Sequence, residues 1–344
     1  MDYMNGSAPL YFTPPDKNAA VKTQLMRDCL RLGAMLIAYR LITTLMADIC
    51  YMVAFRILSG HFADYVTSVN GLITDYPEVV RSTTFSMLIN SVVTVSALLC
   101  TVLLGHIVMG FSFGGYLRPS RDGAKKGLRF FPACFLLNMI SSIIVNMFTA
   151  AMDSVGITIP EADFSIKNPS VSAVLFQFLY IVIIAPLIEE IIYRGMILGA
   201  LAKYGEIPAI IFSALCFGLM HHNIPQAASA FVTGLAYASL AVSSGSILPS
   251  LIIHSLNNTL VSMEELGSTL GIPHIAVISG TLQVIMGTLG LYIIMTRYSY
   301  FRNSSAQALP QKGKVTKIIY TSPAIALYII MLIWSVVEGL IKAN

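Results

Sequence analysis

Charge is what this sequence has least of. Only 11% of its 344 residues are Asp, Glu, Lys or Arg, less than half the roughly 25% usual in soluble globular domains, and 56% are hydrophobic. That balance excludes a water-soluble fold. With 21 basic and 17 acidic residues the net charge is +4, too small for a nucleic-acid surface, so no nucleic-acid partner is expected. The five cysteines, Cys29, Cys50, Cys100, Cys134 and Cys216, lack CxxC or any other ligand spacing and lie in or beside apolar runs. They read as small buried hydrophobes. Residues 1–22 are polar, contain Pro14 and Pro15 and have no apolar stretch, so the start does not read as a cleaved signal peptide. Residues 1–30 read instead as a flexible cytoplasmic tail. Internal repeats and low-complexity tracts are missing, and the longest polar connections run only about 15 to 25 residues, leaving no room for a soluble domain.

What fills the chain is apolar sequence. A helix that crosses a bilayer needs about 20 mostly apolar residues. Such segments lie at roughly 31–58, 84–112, 130–152, 171–202, 207–221, 226–243, 246–263, 275–296 and 318–341. Their apolarity is continuous, without the period-2 alternation of an outer-membrane barrel. The expected fold is therefore all-α: a multi-pass transmembrane helical bundle of about eight to nine segments, with 31–344 forming a single membrane-embedded domain.

The basic residues give this bundle an expected orientation. Lys17, Lys22, Arg27 and Arg31 lie in the tail, Arg118, Arg121, Lys125, Lys126 and Arg129 follow the second segment, and Arg297, Arg302, Lys312, Lys314 and Lys317 follow the eighth. An odd number of crossings between successive groups would be needed to separate them; nine segments put all three groups on one side, which the positive-inside rule makes cytoplasmic. The opposite connections hold Asp64, Asp75, Glu78, Asp153, Glu161, Asp163, Glu264 and Glu265 against Arg81 and Lys167. The chain is thus expected in the cell membrane with its N-terminus and basic loops cytoplasmic.

Arg40, Asp48, Arg56, Glu189, Glu190, Arg194 and Glu338 are left in or near apolar segments. A charge at the bilayer centre costs about 2.5 to 3.5 kcal/mol on insertion scales, so a cluster of them needs a reason. The fourth segment has three, in Ala185-Pro186-Leu187-Ile188-Glu189-Glu190-Ile191-Ile192-Tyr193-Arg194-Gly195. On a helix Glu190 and Arg194 stand at i and i+4 in the favourable acid-first order, while Glu189 is turned about 100° away. One carboxylate can then be structural and the other face a polar cavity; the bland alternative is an interfacial cluster at a helix end. Phe217-Gly218-Leu219-Met220-His221 closes the fifth segment, and His254-Ser255-Leu256-Asn257-Asn258 lies in the seventh. Each places its first and last residue one helical turn apart, so that each pair can share a face. Neutral imidazole can accept a proton and Asn can donate to a developing oxyanion, although a lone intramembrane histidine is more often a packing group. His222 and Asn257 are adjacent competitors: His222 caps or lines the turn at Asn223-Ile224-Pro225, and Asn257 packs against another helix.

Glu189-Glu190-x-x-x-Arg194, Phe217-x-x-x-His221 and His254-x-x-x-Asn258, in this order in successive apolar segments, resemble the three-motif signature of the CPBP family. This family is also called the Abi or type II CAAX prenyl endopeptidase family, and its members are multi-pass, glutamate-dependent intramembrane proteases. The resemblance covers residues 171–262, which it marks as the catalytic core. It implies Glu189 as the general base that activates water and His221 as the group that positions or polarises that water. His254 and Asn258 would stabilise the oxyanion, Glu190 and Arg194 would brace the site, and Phe217 would pack and orient. The implied substrate is a membrane-associated peptide or protein, CAAX-like or of bacteriocin type, and the implied partner otherwise is the lipid bilayer.

No HExxH, GxGD or GxSG motif is present. No cofactor is expected, although Glu189, His221 and His254 could converge as a His₂Glu zinc set, leaving an exchangeable metal open. A site also requires Glu189 and His221, at opposite ends of their segments, to come together; a fourth helix reaching about Ala202 and a tilted or irregular fifth would achieve this. The expectation is a cavity partly within the membrane, opening toward the cytoplasmic side, with Gly195 and Gly199 allowing close helix approach. A non-catalytic scaffold, bacteriocin-immunity protein or small-solute transporter is the competing class, kept open by Arg40, Asp48 and Arg56 in the first segment. The alternative for that trio is a tilted helix whose arginines snorkel to opposite interfaces.

Overall fold

A computed structural model describes residues 19–112, 121–160, 170–306 and 312–343. Every element among them is helical: α1 Ala19–Ser59, α2 Tyr65–Asp75, α3 Pro77–Val80, α4 Thr83–Met109, α5 Arg121–Ser154, α6 Val171–Tyr204, α7 Glu206–Leu219, α8 Ile224–Ser244, α9 Leu248–Thr269, α10 Pro273–Ala306, α11 Lys312–Thr321 and α12 Pro323–Ala343. Eight of the nine apolar segments each fall on one helix, and the ninth, 318–341, begins on α11, breaks at Ser322 and continues through α12. Seven of these are long and apolar enough to cross a membrane: α1, α4, α5, α6, α8, α10 and α12. The other two differ for physical reasons. α7 has only 14 residues, about 21 Å at 1.5 Å per residue, against a hydrocarbon core of about 30 Å. α9 has the length but carries His254, Asn257, Asn258, Glu264 and Glu265.

The bundle is a membrane protein turned outward. Leu99, Leu103 and Ile107 on α4 and Ile144 and Met147 on α5 are all at least 60% exposed, except that a lipid bilayer rather than water suits such a surface. Cys100 belongs to this perimeter and is exposed, unlike buried Cys29 and Cys216, so it is not the buried hydrophobe expected. The main core joins Leu25, Cys29, Leu32 and Leu36 of α1 to Ile191, Ile197 and Leu198 of α6, Phe212 of α7 and Tyr328 of α12. A second core joins Phe131 and Phe135 of α5 to Tyr237 of α8 and Ile253 of α9.

α1 is helical from Ala19, inside the segment read as tail; residues 1–18 lie outside the described residues. A polar latch ties down this part of α1. Asp28 is 5% exposed, with one carboxylate oxygen 2.7 Å from Lys203 Nζ and accepting from Tyr204 Oη at 2.7 Å. These two residues occupy the end of α6, so the latch pins the start of α1 to the α6–α7 hairpin.

Arg40, midway along α1, does not snorkel. Its Nη1 lies 3.0 Å from His222 Nε2 and its Nη2 donates to Ser335 Oγ at 2.9 Å, joining α1, the α7–α8 turn and α12. His222, in the turn between α7 and α8, has φ 61°, a left-handed conformation that a bulky residue seldom adopts. Arg56, near the end of α1, instead stacks on Phe62, 4.9 Å from the ring centroid.

Candidate active site

The fourth segment is not a regular α-helix. α6 passes through two π stretches, Tyr180–Ile184 and Glu190–Leu198, on either side of the α-helical turn Ala185–Glu189. In the first, the Ala185 N–H is directed to Tyr180 O, five residues back. The next donor in that ladder would be Pro186, which has no N–H, so the carbonyl of Ile181 loses its partner within the helix. Asn258 supplies one: its Nδ2 donates to Ile181 O at 3.0 Å. One of the two N–H bonds expected to serve an oxyanion is therefore structural, and the other is left for chemistry.

All nine residues of the second π stretch are buried. Glu190 and Arg194 within it are both fully buried and 3.1 Å apart. The carboxylate also accepts from Ser250 Oγ at 2.7 Å and meets His254 Nδ1 at 3.0 Å. A buried ion pair is costly unless its remaining valences are met; α9 brings both groups that serve the carboxylate, while Arg194 Nη2 donates to Gly234 O at 3.4 Å and its Nε and Nη1 have no hydrogen-bond partner among the described residues. Arg194 is further held over the Phe217 ring, 4.1 Å from its centroid. Phe217 in turn contacts His221 and His254 edge-on, at 5.3 and 5.5 Å between centroids. It is the packing centre of the site.

The two histidines acquire defined tautomers. A carboxylate ion-paired to arginine can only accept, so His254 Nδ1 carries a proton, and Nε2 is turned to Glu189 Oε2 at 3.6 Å. His221 Nδ1 lies 2.9 Å from Phe217 O, a carbonyl, and so donates as well. Each ring thus donates from Nδ1 and leaves Nε2 as its other hydrogen-bonding atom. Glu189 is the contrasting carboxylate: among the described residues it accepts no hydrogen bond, and it borders two cavities. The larger, about 870 Å³, is lined by Glu189, His221, His254, Asn257 and Asn258 together with Tyr237. The smaller, about 60 Å³, lies against Tyr39, Tyr180 and Tyr193. Glu189, His221, His254 and Asn258 therefore share one chamber with Phe217 in its wall, and Glu190 and Arg194 lie behind it.

The depth problem raised by the sequence is solved by the short helix. α6 continues past Glu189 to Tyr204, and α7 returns for only 14 residues, which brings His221 back to the level of Glu189 rather than to the far face. Gly218 and Gly234 permit the tight fit of α7 on α8: a Cβ on Gly218 would stand 2.5 Å from Ala227 O. At Gly195, where close approach was expected, a Cβ would meet Phe111 at an ordinary 3.4 Å.

Two further expectations change. The His₂Glu set does not assemble: among the described residues, no three His, Cys, Asp or Glu groups could hold a metal ion. The chamber also does not widen toward the ends that carry the basic segments. Its lining runs along Asn138–Asn146 of α5, Val174–Ile181 of α6 and His254–Ser268 of α9, toward the acidic connections. Asn257, set aside in the sequence as a packing residue, lines it too, and its buried Oδ1 has no hydrogen-bond partner among the described residues. Only its position beside Asn258 hinted at this.

Residues 171–260 match the family model described as Type II CAAX prenyl endopeptidase Rce1-like. The segment is a CPBP-family domain. No curated protein and no solved structure matches the chain. The CPBP segment spans α6 to most of α9, which build the chamber together with α5, so the family match covers most of the site. Its family is one of CAAX-type intramembrane proteases, and the chain is a multi-pass membrane protein.

Proposed function

We propose that the protein is an intramembrane endopeptidase in which Glu189 activates water to hydrolyse a peptide bond of a membrane-associated peptide or protein. The observation that carries this reading is the division of labour around His254. Glu190, fully buried and charge-paired, holds Nδ1; Glu189, unbonded and facing the chamber, stands at Nε2. One carboxylate is committed to structure and its neighbour is left free to move a proton.

In this mechanism a water in the chamber gives one proton to the Glu189 carboxylate while its other hydrogen is accepted by His221 Nε2. Its oxygen attacks the substrate carbonyl carbon. The resulting oxyanion accepts from the free N–H of Asn258. Stabilisation by His254 requires a proton at Nε2, which Glu189 can supply across the 3.6 Å between them because Nδ1 already has its own. When the carbon–nitrogen bond breaks, the proton taken from water goes to the leaving amine, restoring Glu189 and His254. No covalent intermediate takes part in these steps. Phe217 and Arg194 keep the rings in place.

The test is cleavage of a peptide library by the full chain reconstituted in lipid vesicles. Glu189→Gln is expected to lose at least about 10²-fold in turnover, the scale of a general base, with its melting temperature in detergent unchanged. Full activity in a folded Glu189→Gln protein would end the proposal.

A further inference from the structure

The chamber and the positive charge lie at opposite ends of the bundle. From Glu189 the chamber passes between α5, α6 and α9, and its outermost lining residues are Glu264, Glu265 and Ser268, all exposed near the end of α9. That end faces the connections after Ser154 and after Thr269. In the other direction the chamber is sealed by the wholly buried stretch Glu190–Leu198. Beyond the seal come Lys22, Arg27 and Arg31 at the start of α1, Lys125, Lys126 and Arg129 at the start of α5, Lys203 at the end of α6, and Lys314 and Lys317 on α11. Helices alternate in direction along the chain, so these starts and ends share one face. Clustered Lys and Arg in short connections are retained on the cytoplasmic side of a membrane.

We infer that the chamber opens on the non-cytoplasmic face. The substrate would then be a polypeptide presented from that face, such as an exported peptide or the extracytoplasmic flank of a membrane-anchored protein, and not a C-terminus in the cytosol. The acidic rim favours a substrate whose exposed flank is basic, since opposite charge at a cleft mouth raises the local concentration of the incoming chain. The statement about substrate rests on the peptidase reading; the statement about the side does not.

The side is read by labelling. In a full-length chain with its five cysteines replaced by alanine, single cysteines are placed at the mouth, Glu264→Cys and Ser268→Cys, and at the opposite end, Lys125→Cys and Lys317→Cys. Intact cells are treated with a membrane-impermeant maleimide. The two mouth positions are expected to label at least about tenfold more than the other two, which label only after permeabilisation. An epitope inserted after exposed Gly156 in the otherwise native chain, detected without permeabilisation, gives a second reading that does not depend on cysteine replacement. The reverse pattern, or equal labelling of both ends, overturns the inference. Labelling needs no turnover, so these results bear on the side alone. Continued cleavage by Glu189→Gln would instead remove the peptidase reading and leave the side standing.

Discussion

Two adjacent glutamates have opposite fates because a helix points them in different directions. Glu190 is enclosed by Arg194, Ser250 and His254, whereas Glu189 faces open space. Their separation was legible in the sequence, since Glu190 and Arg194 stand four apart and Glu189 is offset from them. The hold of Glu190 on His254 was not, because it joins residues 64 apart and no local spacing encodes it. Glu190→Gln keeps the size but leaves Arg194 a buried charge without a counterion. It is expected to cost about 3 to 5 kcal/mol, measured as a lowered melting temperature together with lost activity, in contrast to the purely kinetic defect of Glu189→Gln. Asp28 is a second residue whose role lay beyond local pattern: nothing in its neighbourhood of basic residues announces Lys203 and Tyr204. Its replacement by Ala is expected to cost about 1 to 3 kcal/mol, read by thermal unfolding, with the rate of cleavage per folded molecule unchanged.

Elements were visible as apolar runs, although the last run hid the break at Ser322 that divides it between α11 and α12. What stayed hidden was their internal irregularity. Pro186 signalled a disturbance in α6, but the π turn before it and the repair by Asn258 depend on α9 lying alongside. This pairing makes a quantitative prediction. Asn258→Ala leaves the Ile181 carbonyl bare and should destabilise the protein by about 1 kcal/mol. Pro186→Ala supplies an N–H from within α6, so the same Asn258→Ala change made on that background should cost measurably less. Additive costs in the double-mutant cycle would show that the two residues do not serve the same carbonyl. Helix packing gives another. At Gly218 an added Cβ would collide with backbone of α8, and Gly218→Ala is expected to lower stability by about 1 to 3 kcal/mol, whereas Gly195→Ala should be tolerated within about 0.5 kcal/mol. Thermal melts of the two variants side by side decide this.

Across the whole molecule, Arg40 shows how a charge is admitted at membrane depth. Its two terminal nitrogens reach different elements, His222 in the turn and Ser335 on α12, which a lysine with a single head cannot do. Arg40→Lys is therefore expected to destabilise nearly as much as Arg40→Ala, by about 1.5 to 3 kcal/mol, in a thermal melt. Recovery by lysine would mean that charge alone suffices. The sequence offered snorkelling for this residue because its partners lie 182 and 295 positions away. The direction of the chamber was hidden for a related reason: it depends on α7 being a partial crossing, and an apolar run cut short by a turn reads like any other.

The π turn at Tyr180–Ile184 also gives α6 a tolerance to length that composition never would reveal. An i to i+5 turn holds one residue more than an α-helical turn, so α6 carries a supernumerary residue between Gln177 and Glu189. Removing Ile183, which is 53% exposed and touches no part of the chamber wall, would let the helix relax to ordinary α geometry. The segments on either side would keep their relative orientation, because the wide turn already absorbs the extra residue. The lining residues Val174, Gln177 and Phe178 would stay on the chamber with the glutamate, its brace and both histidines. The same deletion made in a regular α-helical turn would instead rotate everything before it by about 100°, so the π turn marks the place in α6 where one residue can be lost with the entrance still aligned to Glu189.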